Sequence, residues 1–259
     1  MRDPRNKDDI RFLRYYLKDY IRQEIYFEFT DQNLGIPMPP VQKYVPEHAS
    51  IIELPSVDSS NLGQDLSVRD AIQNRMSRRA FSNKSLTQEE LSYLLWSVAG
   101  VRLSTASGRI MRTVPSAGNR HSIETYLAIL NVDGIEEGLY RYLPIEHALL
   151  KLESPEDLSD SIDRASLGQG FPGKAPVTFF WSTIPYRTEW RYAQASWKVI
   201  ALDAGHIGQN LYLAAESIQA GCCVMAAFDQ AKADELLGLD GEDEFVIYSA
   251  SVGKQLGIK

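Results

Sequence analysis

Five of the twelve prolines fall between positions 37 and 55: Pro37, Pro39, Pro40, Pro46 and Pro55. Proline fixes φ and removes a backbone donor, so this stretch can be neither a helix nor a central strand. It divides the chain into a short front segment and a body. The stretch is expected to be an extended arm laid over its own domain or over a partner subunit, or else a linker. The division predicted is residues 1–64 for an N-terminal helix plus the arm, and residues 65–259 for the body. Ahead of the prolines, Ile10, Leu13, Leu17 and Ile21 recur at three- and four-residue spacing, which predicts an amphipathic helix from Asp8 to Ile25.

Within the body, Ser67 to Arg75 predicts a short helix. Thr87 and Glu90 form a capping box that opens another, with Leu91, Leu94, Leu95 and Val98 on one side and Gly100 as its stop. Short apolar, β-branched or aromatic runs predict strands at 125–130, 138–142, 148–152, 177–182 and 245–250. Ser154 followed by Pro155 predicts the start of a small helix. The longest helical pattern runs from Trp197 to Ala220, where Ile200, Ala204, Ile207, Leu211, Ala214, Ala215 and Ile218 trace an apolar stripe. Gly221 is placed to stop it, and a last short helix is expected at 229–237. Helices and strands mix without strict alternation, so the fold class expected is α+β, with a mixed central sheet flanked by helices.

Composition narrows the function. The formal charge of −7 leaves no cationic surplus for phosphates of a nucleic acid, so no nucleic-acid partner is expected. No apolar run reaches the ~20 residues of a membrane span, so no membrane partner is expected either. The two cysteines, Cys222 and Cys223, are adjacent, with Cα atoms about 3.8 Å apart, closer than a disulfide ordinarily spans. A reducing cytoplasm is the compartment expected. The four histidines are dispersed and the cysteine pair lacks ligand spacing, which argues against a metal site. Neither the dinucleotide fingerprint nor the P-loop occurs.

Four segments can carry chemistry. Arg75, Ser77 and Arg79 offer two cations and a hydroxyl that converge on one anion if the chain leaves its helix there; the alternative is a solvated basic turn. Pro115-Ser116-Ala117-Gly118-Asn119-Arg120-His121 is a small-residue loop whose backbone N–H groups can approach a flat polar ligand. A Ser116 nucleophile with His121 as base competes with that reading, although the nucleophile elbow is absent. Asp203 and His206, one turn apart, predict a helix-surface hydrogen bond. Gly221 to Phe228 predicts an apolar turn, either edge-on to an aromatic ligand or simply packed.

Taken in order, RMSRRAF at 75–81, PSAGNRH at 115–121, DAGHIGQNLYLAAE at 203–216, GCCVMAAF at 221–228 and the closing strand with Lys254 resemble the FMN-dependent nitroreductase superfamily, in particular its SagB-type dehydrogenase branch. The arm PPVQKYVPEHASIIELP resembles the N-terminal stretch of that branch. The resemblance implies a nitroreductase-like fold in an intertwined homodimer, with FMN at the subunit interface. By that likeness Arg75, Ser77 and Arg79 hold the phosphate and ribityl chain, with Lys254 as a further basic anchor. Pro115, Ser116, Ala117 and Asn119 line the isoalloxazine from the other subunit, and Met225 and Ala226 lie near flavin N5. It further implies an oxidoreductase that passes a hydride from NAD(P)H through the flavin to a small-molecule acceptor such as a nitroaromatic or quinone. The alternatives are a dehydrogenase of peptide-derived azolines and a flavin-binding protein without turnover. Arg191-Tyr192 stands where the azoline dehydrogenases resemble a Lys-Tyr pair. Arginine stays protonated and is a poor base, which leaves Tyr192 as the candidate acid or orienting group.

Overall fold

The strand-forming runs pair into one seven-stranded sheet in a computed structural model that describes residues 6–57, 62, 66–105 and 109–256. In chain order the strands are β1 (Ile51–Glu53), β2 (Val101–Ser104), β3 (Ile110–Arg112), β4 (Ile123–Ile129), β5 (Gly138–Leu143), β6 (Ala148–Lys151), β7 (Val177–Thr183), β8 (Ala220–Met225) and β9 (Phe245–Lys254). The sheet order is β1-β6-β5-β4-β7-β9-β8, while β2 and β3 form a separate hairpin. The helices are α1 (Lys7–Leu13), α2 (Ile21–Glu24), α3 (Val68–Asn74), α4 (Gln88–Ala99), α5 (Leu158–Ala165), α6 (Tyr186–Tyr192), α7 (Ser196–Ser217) and α8 (Gln230–Leu237).

The α+β architecture is as expected, but the sheet is not mixed. Every described pairing within it is antiparallel. The reason lies in β9. The crossover through α6 and α7 brings β8 back parallel to β7 but one position away, and β9 fills the gap antiparallel to both. Among the described residues, parallel pairing is confined to two isolated bridges, Ser77 to Cys222 and Leu86 to Val132.

The central strands β4 and β7 are buried along their whole length, so both faces need apolar side chains. On one face Leu127, Ile129, Phe179 and Trp181 pack under α4 and α7; on the other, Tyr126, Ala128 and Phe180 pack under α5 and α8. The capping box of α4 forms, with Glu90 N donating to Thr87 Oγ1 at 3.2 Å and Thr87 N donating to Glu90 Oε2 at 3.0 Å. Leu91, Leu94, Leu95 and Val98 are fully buried. Truncating one such leucine to alanine costs about 2–5 kcal/mol.

Three local expectations are corrected. The front segment is not one helix but α1, a 3-10 turn and α2, and none of their residues is buried. A helix this short depends on packing, and its aromatics mostly touch one another, while Tyr16 meets the body at Trp197. α5 begins at Leu158 rather than Pro155, because Ser154 Oγ is taken as acceptor by Leu139 N at 2.7 Å. α7 is stopped by Gln219 at φ 56°, and Gly221 lies inside β8. The stripe on α7 is consumed by α4 and the sheet of the same chain, so it offers no face to a partner helix.

The proline-rich arm lies on its own body. Trp190 Nε1 donates to Ile36 O, Arg112 to Val41 O and Arg141 to Tyr44 O, at 2.9, 2.8 and 2.8 Å. Lys43 N donates to Glu124 Oε1 at 3.0 Å, and the arm ends as edge strand β1 against β6.

Candidate functional site

The chain leaves α3 at Arg75, whose ψ of 123° is extended, and runs beside β8. Ser77 bridges Cys222, Arg78 N donates to Cys222 O at 2.9 Å, and Phe81 bridges Gln255. Side chains alternate along such a segment, so Arg75, Ser77 and Arg79 share one side and Arg78 takes the other. Arg78 turns inward to an ion pair with Glu216. Arg75 lies over the Tyr212 ring, 5.0 Å from its centroid, and Ser77 Oγ is 2.8 Å from Tyr212 Oη. Val224 N donates to the same hydroxyl at 3.0 Å. Neither Arg75 nor Arg79 has a carboxylate partner among the described residues. Two uncompensated guanidinium groups beside a hydroxyl make a site for a polyoxyanion.

A second group forms around the loop from Pro115 to His121. Ala117 N donates to both carboxylate oxygens of Asp203, at 3.1 and 3.0 Å. Ser116 Oγ accepts from His121 N at 2.9 Å. Arg120 holds the loop from behind by donating to Gly118 O and Asn119 O. Gly118 is in the left-handed region at φ 58°, and a Cβ there would sit 2.6 Å from Arg191 Cδ and 2.7 Å from Tyr192 Oη. Only glycine fits this approach. Tyr192 therefore joins the loop, its ring flanked by the guanidinium groups of Arg22 and Arg191. Arg191 donates to Gln32 Oε1 at 2.8 Å, while its buried Nε has no partner.

This geometry removes the serine-nucleophile alternative. The His121 ring turns away from Ser116, with Nε2 at 2.8 Å from both Ile110 O and Asn119 Oδ1. Burial, reinforced by the Arg112 charge, pushes that imidazole down to about 3, so it is neutral. The surface bond expected between Asp203 and His206 is also absent. Asp203 is buried and faces the loop, while His206 is exposed.

The remaining expected site residues are placed as follows. Gly221 to Met225 is edge strand rather than turn; Met225 is buried against Ser249, and Ala226 just beyond it is exposed. Lys254, at the end of β9, is committed to an ion pair with Glu90 of α4. Cys222 and Cys223 are free buried thiols, both pushed up by burial.

Sequence reasoning passed over Tyr212 and Gly208. They stand four residues apart on α7, where Tyr212 orders the cationic segment and a Cβ on Gly208 would come within 2.8 Å of the Tyr248 ring. α7 thus carries both groups. Asp203 holds the loop and Tyr212 holds the cationic segment, nine residues or about 14 Å along the helix.

The nitroreductase family model matches residues 72–254, which include both groups and every strand of the sheet except β1. The chain belongs to the nitroreductase family. It is 29% identical over 205 residues to the nitroreductase-like protein MJ1384 of Methanocaldococcus jannaschii, covering 79% of this chain and 96% of that one. It is 31% identical over 130 residues to the trifolitoxin-processing protein TfxB of Rhizobium leguminosarum bv. trifolii, covering 49% of this chain and 35% of that one. The crystal structure of a nitroreductase-like protein from Ralstonia eutropha JMP134 superposes with a TM-score of 0.66 at 28% identity, covering 86% of this chain and all of the other. Membership in this family supports an oxidoreductase. No described helix is long and apolar enough to cross a membrane, and no described cluster of three or more His, Cys, Asp or Glu could hold a metal.

Proposed function

We propose that this protein is an FMN-dependent oxidoreductase acting between NAD(P)H and a small acceptor such as a nitroaromatic or a quinone. The observation that carries the reading is the row Arg75, Ser77, Arg79: two guanidinium groups without carboxylate partners, on one side of an extended segment and ordered by Tyr212. A phosphomonoester dianion suits that donor set, whereas an adenine diphosphate finds no counterpart. The residues present therefore fit FMN. The chemistry that FMN supplies when bound is two-electron transfer, between a hydride donor and an acceptor that can be an obligate pair or loosely matched.

In this reading Arg75 and Arg79 neutralise the phosphate and Ser77 donates to it. Lys254, already paired with Glu90, contributes to the local field without being a free anchor. Pro115, Ser116, Ala117 and Asn119 form a wall that Asp203 and Arg120 hold rigid, so the ligand meets a fixed surface. Met225 and Ala226, where β8 ends, present backbone to the reacting edge of the ring system. Tyr192, packed on Gly118, orients the substrate or delivers a proton.

The two groups lie about 14 Å apart on one helix of one chain. A homodimer in which the loop of one protomer closes over the cationic segment of the other accounts for that separation. The apolar stripe of α7 is not available for such an interface. The exposed side of α7 is, where a Cβ on Gly205 would meet nothing within 4 Å.

A second reading has one specific support. Similarity to a trifolitoxin-processing protein favours a SagB-type dehydrogenase acting on a peptide-derived azoline. Against it stands Arg191, a permanent cation tied to Gln32 where that chemistry wants a base. Anaerobic addition of NADH or NADPH to the yellow purified protein tests the first reading. Loss of the flavin colour within seconds, restored by a nitroaromatic or quinone, is expected. Persistent colour with both reductants would leave a flavin carrier or a dehydrogenase of another donor.

A further inference from the structure

Two guanidinium groups and a phenol converge on Gly118. The position a Cβ would take there lies 2.6 Å from Arg191 Cδ, 2.7 Å from Tyr192 Oη and 2.8 Å from Arg191 Nε. Arg120 reaches the same residue, its Nε donating to Gly118 O at 3.1 Å, with its guanidinium 5.0 Å from the centroid of the Trp190 ring. No carboxylate answers either charge. Among the described residues neither Arg120 nor Arg191 has an ion-pair partner. Asp203 spends both oxygens on Ala117 N, Asp31 accepts from Tyr186 Oη at 2.7 Å, and Asp19 is paired with Arg22. Burial first, and the Arg191 charge next, hold Arg120 below the ordinary arginine range.

The donors left over define what this place can bind. Arg120 commits Nε and Nη2 to Gly118 O, Asn119 O and Met38 Sδ. Arg191 commits Nη1 to Gln32 Oε1, and its Nε is enclosed. Arg120 Nη1, Arg191 Nη2 and Tyr192 Oη have no hydrogen-bond partner among the described residues, and none of the three is sealed from solvent. The rest of each side chain is held, so these donors are presented in a fixed arrangement. Two guanidinium groups and a hydroxyl suit the oxygens of a carboxylate or a phosphate. Like charges brought together in a half-buried place gain most from an anion between them.

We propose that Arg120, Arg191 and Tyr192 form an anion subsite beside the loop at 115–121, taking a negatively charged group of the molecule that exchanges electrons with the flavin. That group is a carboxylate on an aromatic acceptor or the 2′-phosphate of NADPH, since both present oxygens to the same donors. The part in electron exchange rests on the oxidoreductase reading, whereas binding of the anion does not. Arg191 thereby acquires a use that its permanent charge suits, in place of the proton transfer that it cannot perform.

Calorimetric titration of the purified full-length protein, without reductant, tests this with two matched pairs of probes: 4-nitrobenzoate against 4-nitrobenzamide, and NADP⁺ against NAD⁺. The more negative member of one pair is expected to bind about tenfold more tightly, and the pair that shows the preference identifies the source of the anion. Arg191→Met, with its fold checked by circular dichroism, should erase that preference and leave the other member of the pair within about twofold of its wild-type affinity. Arg191→Lys, which keeps the charge, should retain part of the preference, and Tyr192→Phe should reduce it several-fold. Whether NADH bleaches the flavin has no bearing on these titrations, so failure here and failure of the oxidoreductase reading are told apart. A wild type without preference in either pair would overturn the proposal. So would a preference that survives Arg191→Met or, where that variant does not fold, Tyr192→Phe.

Discussion

Asp203 accepts the Ala117 N–H with both of its carboxylate oxygens, at 3.1 and 3.0 Å, and so ties the middle of α7 to the loop at 115–121. Burial holds this carboxyl above its ordinary value of 3.8, against the lowering effect of its bonds from Ser116 and Ala117. The folded chain therefore keeps the proton longer than the unfolded one. Stability is lost as pH rises above about 4, where the unfolded aspartate ionises first. Asp203→Asn retains an acceptor without the charge. Its urea midpoint relative to wild type should rise between pH 4 and pH 7; a constant difference would show that the charge is not strained.

His121 produces the opposite slope. Its folded value of about 3 lies below the ordinary 6.5, so the unfolded chain protonates first and stability falls as pH drops below 6.5. His121→Asn suits the left-handed backbone at φ 49° and removes the titration. Wild type should lose about 2 kcal/mol more than this variant between pH 7 and pH 5. Parallel pH profiles would contradict the neutral buried ring.

Arg187 and Glu124 form a buried ion pair at 2.6 Å, and both hold other parts: Arg187 the His121 carbonyl, Glu124 the arm at Lys43. Glu124→Gln strands a buried guanidinium, and should cost about 3–5 kcal/mol in chemical denaturation. The same variant should expose the arm to proteolysis between residues 36 and 50. A loss below about 1 kcal/mol would mean that the arm and the loop are not held through this pair.

Tyr212→Phe deletes the hydroxyl that Ser77 and Val224 N share. The unpaired Val224 N–H should cost about 1–3 kcal/mol. Retention of FMN through gel filtration should drop several-fold, because Ser77 loses the contact that orders it. Undiminished retention would make Tyr212 a packing residue only.

Much of this was legible beforehand because it is local. The Thr87–Glu90 capping box, the short helix after Ser67 and the runs that became β4, β5, β6 and β7 are set by neighbours in the chain. What was not legible depends on tertiary contact. The segment 221–228 reads as a turn until β9 arrives beside its first five residues, and Asp203 reads as a surface residue until the loop lands on it. The front helix fragments because Ile10, Leu13 and Leu17, spaced correctly, find nothing to bury against. At the site, the alternation of Arg75, Ser77 and Arg79 was visible as spacing, but its meaning required β8 as the strand that keeps the segment extended. Tyr212 carried no signal beyond its place four residues after Gly208.

The central claim is that Arg75 and Arg79 anchor a flavin phosphate, and the flavin content of the Arg75→Ala, Arg79→Ala double variant tests it most directly. Both side chains lack carboxylate partners among the described residues, so the fold should survive, with circular dichroism unchanged and melting like that of the wild-type protein stripped of flavin. The account predicts a folded, colourless protein that does not regain colour when FMN is added at a concentration saturating for wild type. A folded double variant that retains FMN as wild type does would contradict it.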